Sequence, residues 1–465
     1  MRDRPGRRTR RRVLGVAWTG AGALAACALP GLPGRERRAS TRRAARFTVL
    51  YVPSFRLTEA LEQGARAATQ GSGGRYEVVL EQAPPGPPPI PGGDGQPMTL
   101  PPGSPLLSAL HAGAASGAAT DIVVLHRPDE IGSLLGEGMV QGVGQYVRSQ
   151  GKEAREALDG FSAGALEGLR HRGELYGVPL SATAEVLSYD PRLFDAAGLT
   201  RPSRMGAAWT RDAFLDAVRR LTKDLDGDGV PDQYALASMG SVEGWIWRAG
   251  GEILSPDGRR SLVAEPAAVE AIAEYAQLRA SGFPRPGAYR PPSQATPDGY
   301  FLGEPPHAPR VAMLIGSPSA AARINWPLLI AELPRWRRQA TALRLEAAVA
   351  LSAGAREPAA AYAALLSLAV ETQPFFPTPA RAPAVAQLQR SLEATGGSRW
   401  DDDEAEALVN SLRSGRSLPL VSAQAVKQAL TMHVTGPVAQ GQKTPEQAAR
   451  DAAAAIDEIL RAKHV

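Results

Sequence analysis

The most distinctive spacing of chemical groups in this sequence is an acidic run in the middle of the chain. Its carboxylates belong to Asp224, Asp226, Asp228 and Asp232. Counted from the first of these, the acids occupy positions 1, 3, 5 and 9 and Gly229 occupies position 6, as in a calcium-binding loop. Position 12, where such loops carry a bidentate Glu, is Ala235. The run therefore fits either a loop around a structural calcium ion or a metal-free turn between a helix and a strand.

Groups that could catalyse a reaction do not form a recognisable set. The sequence has no His-Glu-x-x-His zinc motif and no phosphate-binding loop, and its six His are scattered. The single Cys is Cys27, which leaves no disulfide, zinc cluster or thiol nucleophile for a folded domain. We therefore predict a protein that is not an enzyme and requires no cofactor. A secreted hydrolase is the alternative, and it needs a nucleophile and a base that converge in a cleft.

Alternating strands and helices indicate how polar residues are brought together. Strands are predicted at Phe47–Val52, Tyr76–Leu80 and Asp121–Leu125, with helices at Leu57–Thr69 and Leu106–Ala115. This order predicts a parallel α/β sheet, whose ligands bind beyond the carboxyl ends of the strands. The loops at those ends provide four candidate ligand contacts, Arg56, His126, Arg127 and Asp129.

The rest of the chain is long enough for a second domain. Roughly 420 residues follow the N-terminal segments, which is more than one hydrophobic core usually serves. A Pro- and Gly-rich stretch from Pro84 to Pro105 predicts a loop or an extended excursion. Further helices are predicted at Arg211–Lys223, Pro266–Arg279, Glu357–Thr372 and Thr444–Leu460. The third is apolar on more than one face, which indicates burial, and the fourth opens with a capping box.

The N-terminus is typical of an exported protein. A basic segment, Met1–Arg12, precedes an apolar stretch, Val13–Ala26, that is too short to favour a membrane span. Leu24–Cys27 looks like a bacterial lipobox, in which Cys27 is acylated; a generic cleaved signal with an incidental Cys is the alternative. Thr9–Leu14 resembles a twin-arginine export motif, and the general secretory route stays open beside it. We predict a protein anchored by lipid to the outer face of the cell membrane, extracellular or periplasmic.

Positive charge is concentrated in the N-terminal segments. The formal net charge is +5, yet residues 1–26 hold seven Arg and one Asp, and residues 35–46 hold six Arg and one Glu. The remainder of the chain is therefore acidic overall, which argues against a nucleic-acid partner. Residues 28–46 are interpreted as a basic tether, which lies either on anionic lipid headgroups or in solvent.

From Leu166 onward the sequence is similar to the family of extracellular solute-binding proteins that includes the maltose- and multiple-sugar-binding proteins of ABC importers. The segments that carry the similarity are Gly168–Pro179, Glu185–Asp190, Leu193–Leu199, Trp209–Phe214, Trp247–Glu252, Phe301–Gly303 and Val311–Met313. The first resembles the family's Gly-Lys-x-Tyr-Gly-Val-Pro pattern, and the next two resemble x-x-Leu-x-Tyr-Asn and Leu-Phe-x-x-Ala-Gly-Leu. The resemblance covers roughly residue 47 to the end.

This resemblance implies an α/β periplasmic-binding-protein type II-like fold of two lobes with a hinge and a cleft. The N-terminal lobe would comprise residues 47–182 and about 345–395, and the C-terminal lobe about 183–344 and 396–465. The chain would cross between them near Pro179–Leu187 and near Leu343–Leu351. Such a monomer would trap a small solute by closure and present it to a permease.

The resemblance also implies a set of ligand contacts. A sugar offers apolar faces and a ring of hydroxyls, so its site needs aromatic platforms and fixed polar groups. By family position the platforms are Trp245 and Trp247, preceded by Glu243, and Thr183 is a polar contact on the hinge strand. Packing within a lobe is the alternative role for both Trp residues.

One departure from the family pattern bears on the ligand. After Ala312 and Met313 the maltose-type pattern continues with a Gly-Pro-Trp that stacks on sugar, whereas this chain has Gly316–Ser319. The missing platform leaves open a smaller sugar or a solute that is not a sugar. A sensor or surface adhesin that has lost transport is a further alternative.

Overall fold

The computed structural model describes residues 44–84, 105–125, 129–282, 310–318, 328–376, 378–387, 400–420 and 422–462. The strands, in chain order, are β1 (Ala45–Tyr51), β2 (Tyr76–Gln82), β3 (Ile122–Leu125), β4 (Val140–Gln141), β5 (Arg170–His171), β6 (Glu174–Leu175), β7 (Val178–Ala184), β8 (Val186–Tyr189), β9 (Gln233–Met239), β10 (Arg310–Gly316), β11 (Leu329–Ala331), β12 (Thr341–Ser352) and β13 (Gly415–Arg416). Cys27, the tether up to residue 43 and residues 85–104 of the Pro-rich stretch lie outside the described residues.

Helices connect most of these strands. In chain order they are α1 (Phe55–Gly71), α2 (Pro105–Ser116), α3 (Asp129–Gly136), α4 (Gly144–Ser149), α5 (Gly151–Asp159), α6 (Ala163–Glu167), α7 (Pro191–Ala196), α8 (Arg211–Leu221), α9 (Val242–Arg248), α10 (Pro266–Ser281), α11 (Pro358–Thr372), α12 (Asp402–Arg413), α13 (Ala423–Leu430), α14 (Gly436–Ala439) and α15 (Pro445–Ala462). A π-helical stretch, Thr431–Thr435, joins α13 to α14. The predicted capping box of α15 is present, since the Thr444 hydroxyl accepts from the Gln447 N–H and the Gln447 side chain accepts from the Thr444 N–H.

The first sheet combines the N-terminal strands with strands from much later in the chain. Its order is β13-β12-β3-β1-β2, and β4 and β7 also pair with β12. β1 pairs in parallel with β2 and β3, which confirms the predicted parallel arrangement, while β12 runs antiparallel to β3 and β7. Apolar side chains from these strands bury a first hydrophobic core around Val49, Ile122 and Leu125.

The second sheet has the order β11-β8-β10-β9. β9 and β10 are parallel, and β8 is antiparallel to β10 and β11. The core beside it includes Tyr189 from β8, Phe214 from α8 and Ile456 from the closing helix α15. We call the parts of the chain around these two cores the first and second lobes. The predicted two-lobe α/β fold is confirmed.

Helix α11 illustrates how a strongly apolar segment is used in the first lobe. Ala361, Leu365 and Leu368 are fully buried, and the helix packs against α1. The approach is close: a Cβ added at Gly64 of α1 would lie 2.9 Å from the Cβ of Thr372. Within the described part of the chain, no helix combines the length and apolar character needed to cross a membrane.

Among the described residues, three segments connect the lobes. Glu185 links β7 of the first sheet to β8 of the second, within the predicted crossing 179–187. Residues 332–340 lead from β11 into β12, so this crossing precedes the predicted segment 343–351, which lies inside β12 because it forms ladders with β7 and β3. The third crossing begins with residues 417–420, which follow β13, and α13 starts shortly afterwards at Ala423.

The exact bounds of the lobes stay a prediction. Helix α12 contributes Ala407, Leu408 and Leu412 to the first core, although the sequence interpretation placed residues 396–465 in the second lobe. The same helix also packs against β11 of the second sheet, so it contacts both lobes beside the crossing segments.

Candidate functional site

A pocket of about 210 Å³ lies where the crossing segments leave the two sheets. We call it the hinge pocket. The first-lobe residues that line it are Thr183, Leu343, Arg344 and Arg416. The second-lobe residues that line it are Ser241, Glu243, Trp247, Ser317, Leu418 and Lys427. Glu185, on the first crossing segment, and Ala342, at the start of β12, complete the lining.

The position of the hinge pocket follows from the sheet topology. β9 and β10 are parallel, and Ser241 and Ser317 come directly after their carboxyl ends. Thr183 stands at the carboxyl end of β7, and Arg344 near the start of β12, where the two strands pair. Open α/β sheets bind ligands beyond the carboxyl ends of their strands. The hinge pocket therefore lies at the ligand-binding edge of both sheets.

Three residues proposed from family position meet at the hinge pocket. Thr183, Glu243 and Trp247 all line it, although each has little exposed surface. The Thr183 hydroxyl donates to Thr378 Oγ1 at 3.3 Å. One side of the Trp247 ring faces the guanidinium of Arg416, whose Cζ is 5.2 Å from the ring centroid. A ligand would therefore meet a Trp whose orientation is already fixed by a neighbouring cation.

Trp245, the other proposed platform, is placed in the second core instead. Only 2% of its surface is exposed, and its indole N–H donates to the Met239 carbonyl at 2.8 Å. Its ring lies among Phe214 and Tyr275, with the Arg248 guanidinium 4.6 Å from its centroid. Trp245 therefore has the packing role that the sequence left open as an alternative. Helix α9 directs the Trp245 ring into the second core and the Trp247 ring toward the hinge pocket.

The four candidate contacts on the first-lobe loops are described only in part. Arg56 lies in the first turn of α1 and Asp129 begins α3. His126 and Arg127 lie outside the described residues. Their roles stay predictions.

Glu185 is the residue of this site that sequence reasoning used only to mark the hinge. Its Oε1 accepts from the Ser241 N–H at 2.8 Å, while Oε2 is buried and has no hydrogen-bond partner among the described residues. Burial raises the pKa of this carboxyl group to about 7, against the opposing influence of the Ser241 N–H and of Arg248. The signal that could have identified Glu185 is that it is a single acidic residue between two wholly buried strands.

Two more charged groups define the electrostatics beside Glu185. Arg248 is 1% exposed, and burial lowers its pKa to about 10 while Glu185 and Glu274 oppose that change. Burial also raises the pKa of Glu243, with Lys427 acting in the opposite direction. Two buried carboxyl groups thus face two basic groups, so the pocket carries no strong excess of one charge.

The remaining basic groups of the pocket are held by carboxylates outside it. Arg416 Nη2 is 2.7 Å from Glu252 Oε2, and Arg344 Nη2 is 2.7 Å from Glu346 Oε1. These pairs leave the guanidinium groups as fixed donors rather than free charges. No local sequence pattern identified Arg344 or Arg416 as a pocket residue, because each lies on a strand that is far along the chain from Thr183.

The acidic loop lies apart from the hinge pocket. Carboxylate oxygens of Asp224, Asp226 and Asp232 come within 4.8 Å of one another, whereas Asp228 is outside this group and accepts from the Val230 N–H. Asp224 already accepts from the N–H groups of Gly227 and Gly229. The loop is therefore closed by its own hydrogen bonds, and both the calcium and the metal-free interpretation stay open.

A Gly-x-Ser-x-Gly spacing, the pattern of many hydrolase nucleophiles, occurs at Gly160–Gly164. Its Ser162 is 6% exposed and its hydroxyl donates to the Leu412 carbonyl at 2.6 Å. Ser162 also caps α6 by accepting from the Ala165 N–H. The motif is thus a structural cap rather than a nucleophile at the hinge pocket.

Comparison with known proteins agrees with this architecture. Residues 89–332, just over half of the chain, match the sequence profile of the bacterial extracellular solute-binding proteins. The chain belongs to this family. Its members are binding proteins, which confirms the predicted family and the prediction that the chain is not an enzyme, and the family is an exported one.

Solved structures share the fold at low sequence identity. The cyclic α-maltosyl-1,6-maltose binding protein from Arthrobacter globiformis has a TM-score of 0.63 at 16% identity, covering 90% of this chain and 100% of that one. The maltose-binding periplasmic protein from Listeria monocytogenes has a TM-score of 0.61 at 14% identity, covering 90% and 99%. A family 1 extracellular solute-binding protein from Alicyclobacillus acidocaldarius has 0.60 at 16%, covering 90% and 100%. No curated protein matches the chain.

Proposed function

We propose that this protein is the solute-binding component of an ABC importer, and that it captures a sugar or a short oligosaccharide in the hinge pocket. A ligand that contacts both lobes stabilises their closed arrangement by its higher affinity for it. The closed protein would then be recognised by the permease. Acylation of Cys27 would keep the protein at the membrane. Two or more acyl chains at this residue would give stable anchoring.

The observation that carries this proposal is the convergence of two lobes on one polar pocket. Thr183 comes from the first sheet, Glu243 and Trp247 come from the second lobe, and Glu185 lies between β7 and β8, where the chain crosses from one lobe to the other. The pocket thus combines a hydroxyl, carboxyl groups and an aromatic ring. Sugars present the matching groups, which are hydroxyls around the ring edge and C–H bonds on the faces.

Size and charge refine the class of solute. At about 210 Å³ the hinge pocket is smaller than the roughly 300–1,000 Å³ of sites for drug-sized ligands. It therefore suits one sugar ring, either a monosaccharide or one unit of a longer chain. The balanced charges around Glu185 and Glu243 favour an uncharged solute over an anion or a cation.

The solutes of similar proteins supply a screening set. The Listeria protein was solved with maltose, a cyclo/maltodextrin-binding protein with maltotetraose, and a Thermotoga lettingae protein with α-D-tagatose. Isothermal calorimetry of the purified protein with these three sugars tests the proposal. Binding of at least one supports it, and no heat with any of them at millimolar concentration rejects the sugar assignment.

A pair of variants tests whether the hinge pocket is the binding site. Trp247→Phe shortens the aromatic surface in the pocket, and Trp336→Phe, in a residue that does not line the pocket, is the matched control. We expect affinity to fall in the first variant only. Equal affinities in both variants and the wild type would place the sugar elsewhere.

A further inference from the structure

Glu185 and Ser241 form a buried polar pair that is incomplete within the described residues. The Ser241 main-chain N–H donates to Glu185 Oε1, whereas Glu185 Oε2 and Ser241 Oγ are both buried without a partner at hydrogen-bond distance among the described residues. Burial raises the pKa of the carboxyl groups of Glu185 and Glu243, and the Ser241 side chain nevertheless lies close enough to each to oppose that rise. Both residues line the hinge pocket. Buried polar atoms of folded proteins nearly always have partners, so two such atoms at the wall of a pocket indicate a polar ligand.

The surroundings of Glu185 keep its carboxyl group at this wall. Arg248 approaches from α9, where a Cβ on Gly244 would lie 3.3 Å from Glu185 Oε2 and 3.5 Å from Arg248 Nη1. Gly240 has φ of +64°, and a Cβ there would lie 2.7 Å from Oε2. Glycine at both positions leaves the carboxyl group the room that a larger residue would take.

The chemistry of the two atoms selects the group that binds them. A carboxylate oxygen accepts a hydrogen bond, and a serine hydroxyl both donates and accepts. One ligand hydroxyl can donate to Glu185 Oε2 and accept from Ser241 at the same time. A ligand hydroxyl fills both roles as a neutral group, whereas an ammonium or a carboxylate group would add a charge to a pocket whose lining already combines carboxyl and basic groups.

We propose that Glu185 and Ser241 form a hydroxyl-recognition site, which binds one hydroxyl group of a sugar in the hinge pocket. This inference rests on the proposed function. The site is also tied to the hinge, since the Glu185 N–H donates to the Ala342 carbonyl at 3.0 Å and the Thr341 hydroxyl donates to the Glu185 carbonyl at 2.7 Å. A ligand that binds Glu185 Oε2 therefore acts on a residue that connects β7 and β12 of the first sheet to the second lobe.

Calorimetric titration of maltose, maltotetraose and tagatose into the full chain and two variants tests the site. Ser241→Ala removes only the hydroxyl and keeps the N–H that binds Glu185, and Glu185→Gln keeps the size and an acceptor for that N–H. We expect each variant to weaken the sugar that binds the wild type by tenfold or more, because a site built for a hydroxyl loses affinity when its partner is removed. Glu174→Gln, at a partly buried carboxyl group of the first lobe that lies outside the hinge pocket and the crossing segments, should stay within twofold.

The outcomes separate this inference from the proposed function. If none of the three sugars binds the wild type, both fail. If a sugar binds and both variants stay within twofold, the recognition site is refuted and the sugar-binding function stands. Loss of affinity in only one variant would also overturn the shared site. Thermal unfolding curves of each variant show that it is folded before it is titrated.

Discussion

Replacement of Glu185 by Gln should remove one defined contribution to the pH dependence of the protein's stability. Burial raises the pKa of this carboxyl group from 4.5 to about 7 in the folded protein. Below pH 4.5 the group is protonated in both the folded and the unfolded state and does not affect their balance. As pH rises toward 7, the unfolded chain releases a proton that the folded protein still holds, so the folded state loses stability.

The size of this loss follows from the two pKa values. At about 1.4 kcal/mol per pKa unit, the difference between 4.5 and about 7 corresponds to about 3 kcal/mol. This contribution to the free energy of unfolding is fully present below pH 4.5 and is lost by the time pH exceeds 7. In Glu185→Gln no proton is exchanged at this position, so this decrease should be absent.

Urea unfolding across that pH range measures the effect. Tryptophan fluorescence is a suitable signal because Trp209, Trp245 and Trp247 all lie in the second core. The free energy of unfolding of the variant, relative to the wild type, should increase by about 3 kcal/mol between pH 4.5 and pH 8. Glu346→Gln, at a solvent-accessible carboxylate, controls for loss of a negative charge. A constant difference between Glu185→Gln and the wild type at every pH would refute the reasoning.

Three further predictions concern other parts of the chain. Cys27→Ser should release the protein from membranes into the soluble fraction, as followed by fractionation and immunoblotting; retention at the wild-type level would contradict acylation. If the acidic loop binds calcium, added Ca²⁺ should raise the thermal unfolding temperature of the wild type but not of Asp224→Asn, whereas no response in the wild type favours the metal-free turn. Gly64→Ala should lower the free energy of unfolding by about 1–3 kcal/mol, because the new Cβ meets Thr372 at the α1–α11 contact. Gly71→Ala is its control, since a Cβ there meets nothing within 4 Å, and equal stability of the two variants would show that the contact adjusts without cost.

Local sequence patterns predicted most elements of both lobes. The predicted helices at 266–279 and 357–372 correspond to α10 and α11 within two residues, and the predicted strand at 121–125 corresponds to β3. These segments carry their own signals: apolar runs with Pro or capping residues at the ends. Gly198, which follows α7, has φ of +62°, the left-handed conformation in which a glycine commonly ends a helix.

The hinge pocket was only partly predictable, for a physical reason. Family position alone identified Thr183, Glu243 and Trp247 as candidates. Trp245 and Trp247 both lie on the seven-residue helix α9, and only the direction in which each side chain points shows that Trp247, not Trp245, lines the pocket. Arg416 and Lys427 line the pocket although they lie more than two hundred residues along the chain from Thr183, so no local spacing encodes their position. The missing partner of Glu185 Oε2 is a property of the packed structure alone.

The measurement that tests the account most directly is a crystal structure of the protein with the sugar that calorimetry selects. The account predicts a sugar ring in the hinge pocket, in contact with Trp247 from the second lobe and Thr183 from the first, and with a hydroxyl on Glu185. A sugar bound outside the space between the lobes, or in contact with one lobe only, would contradict it.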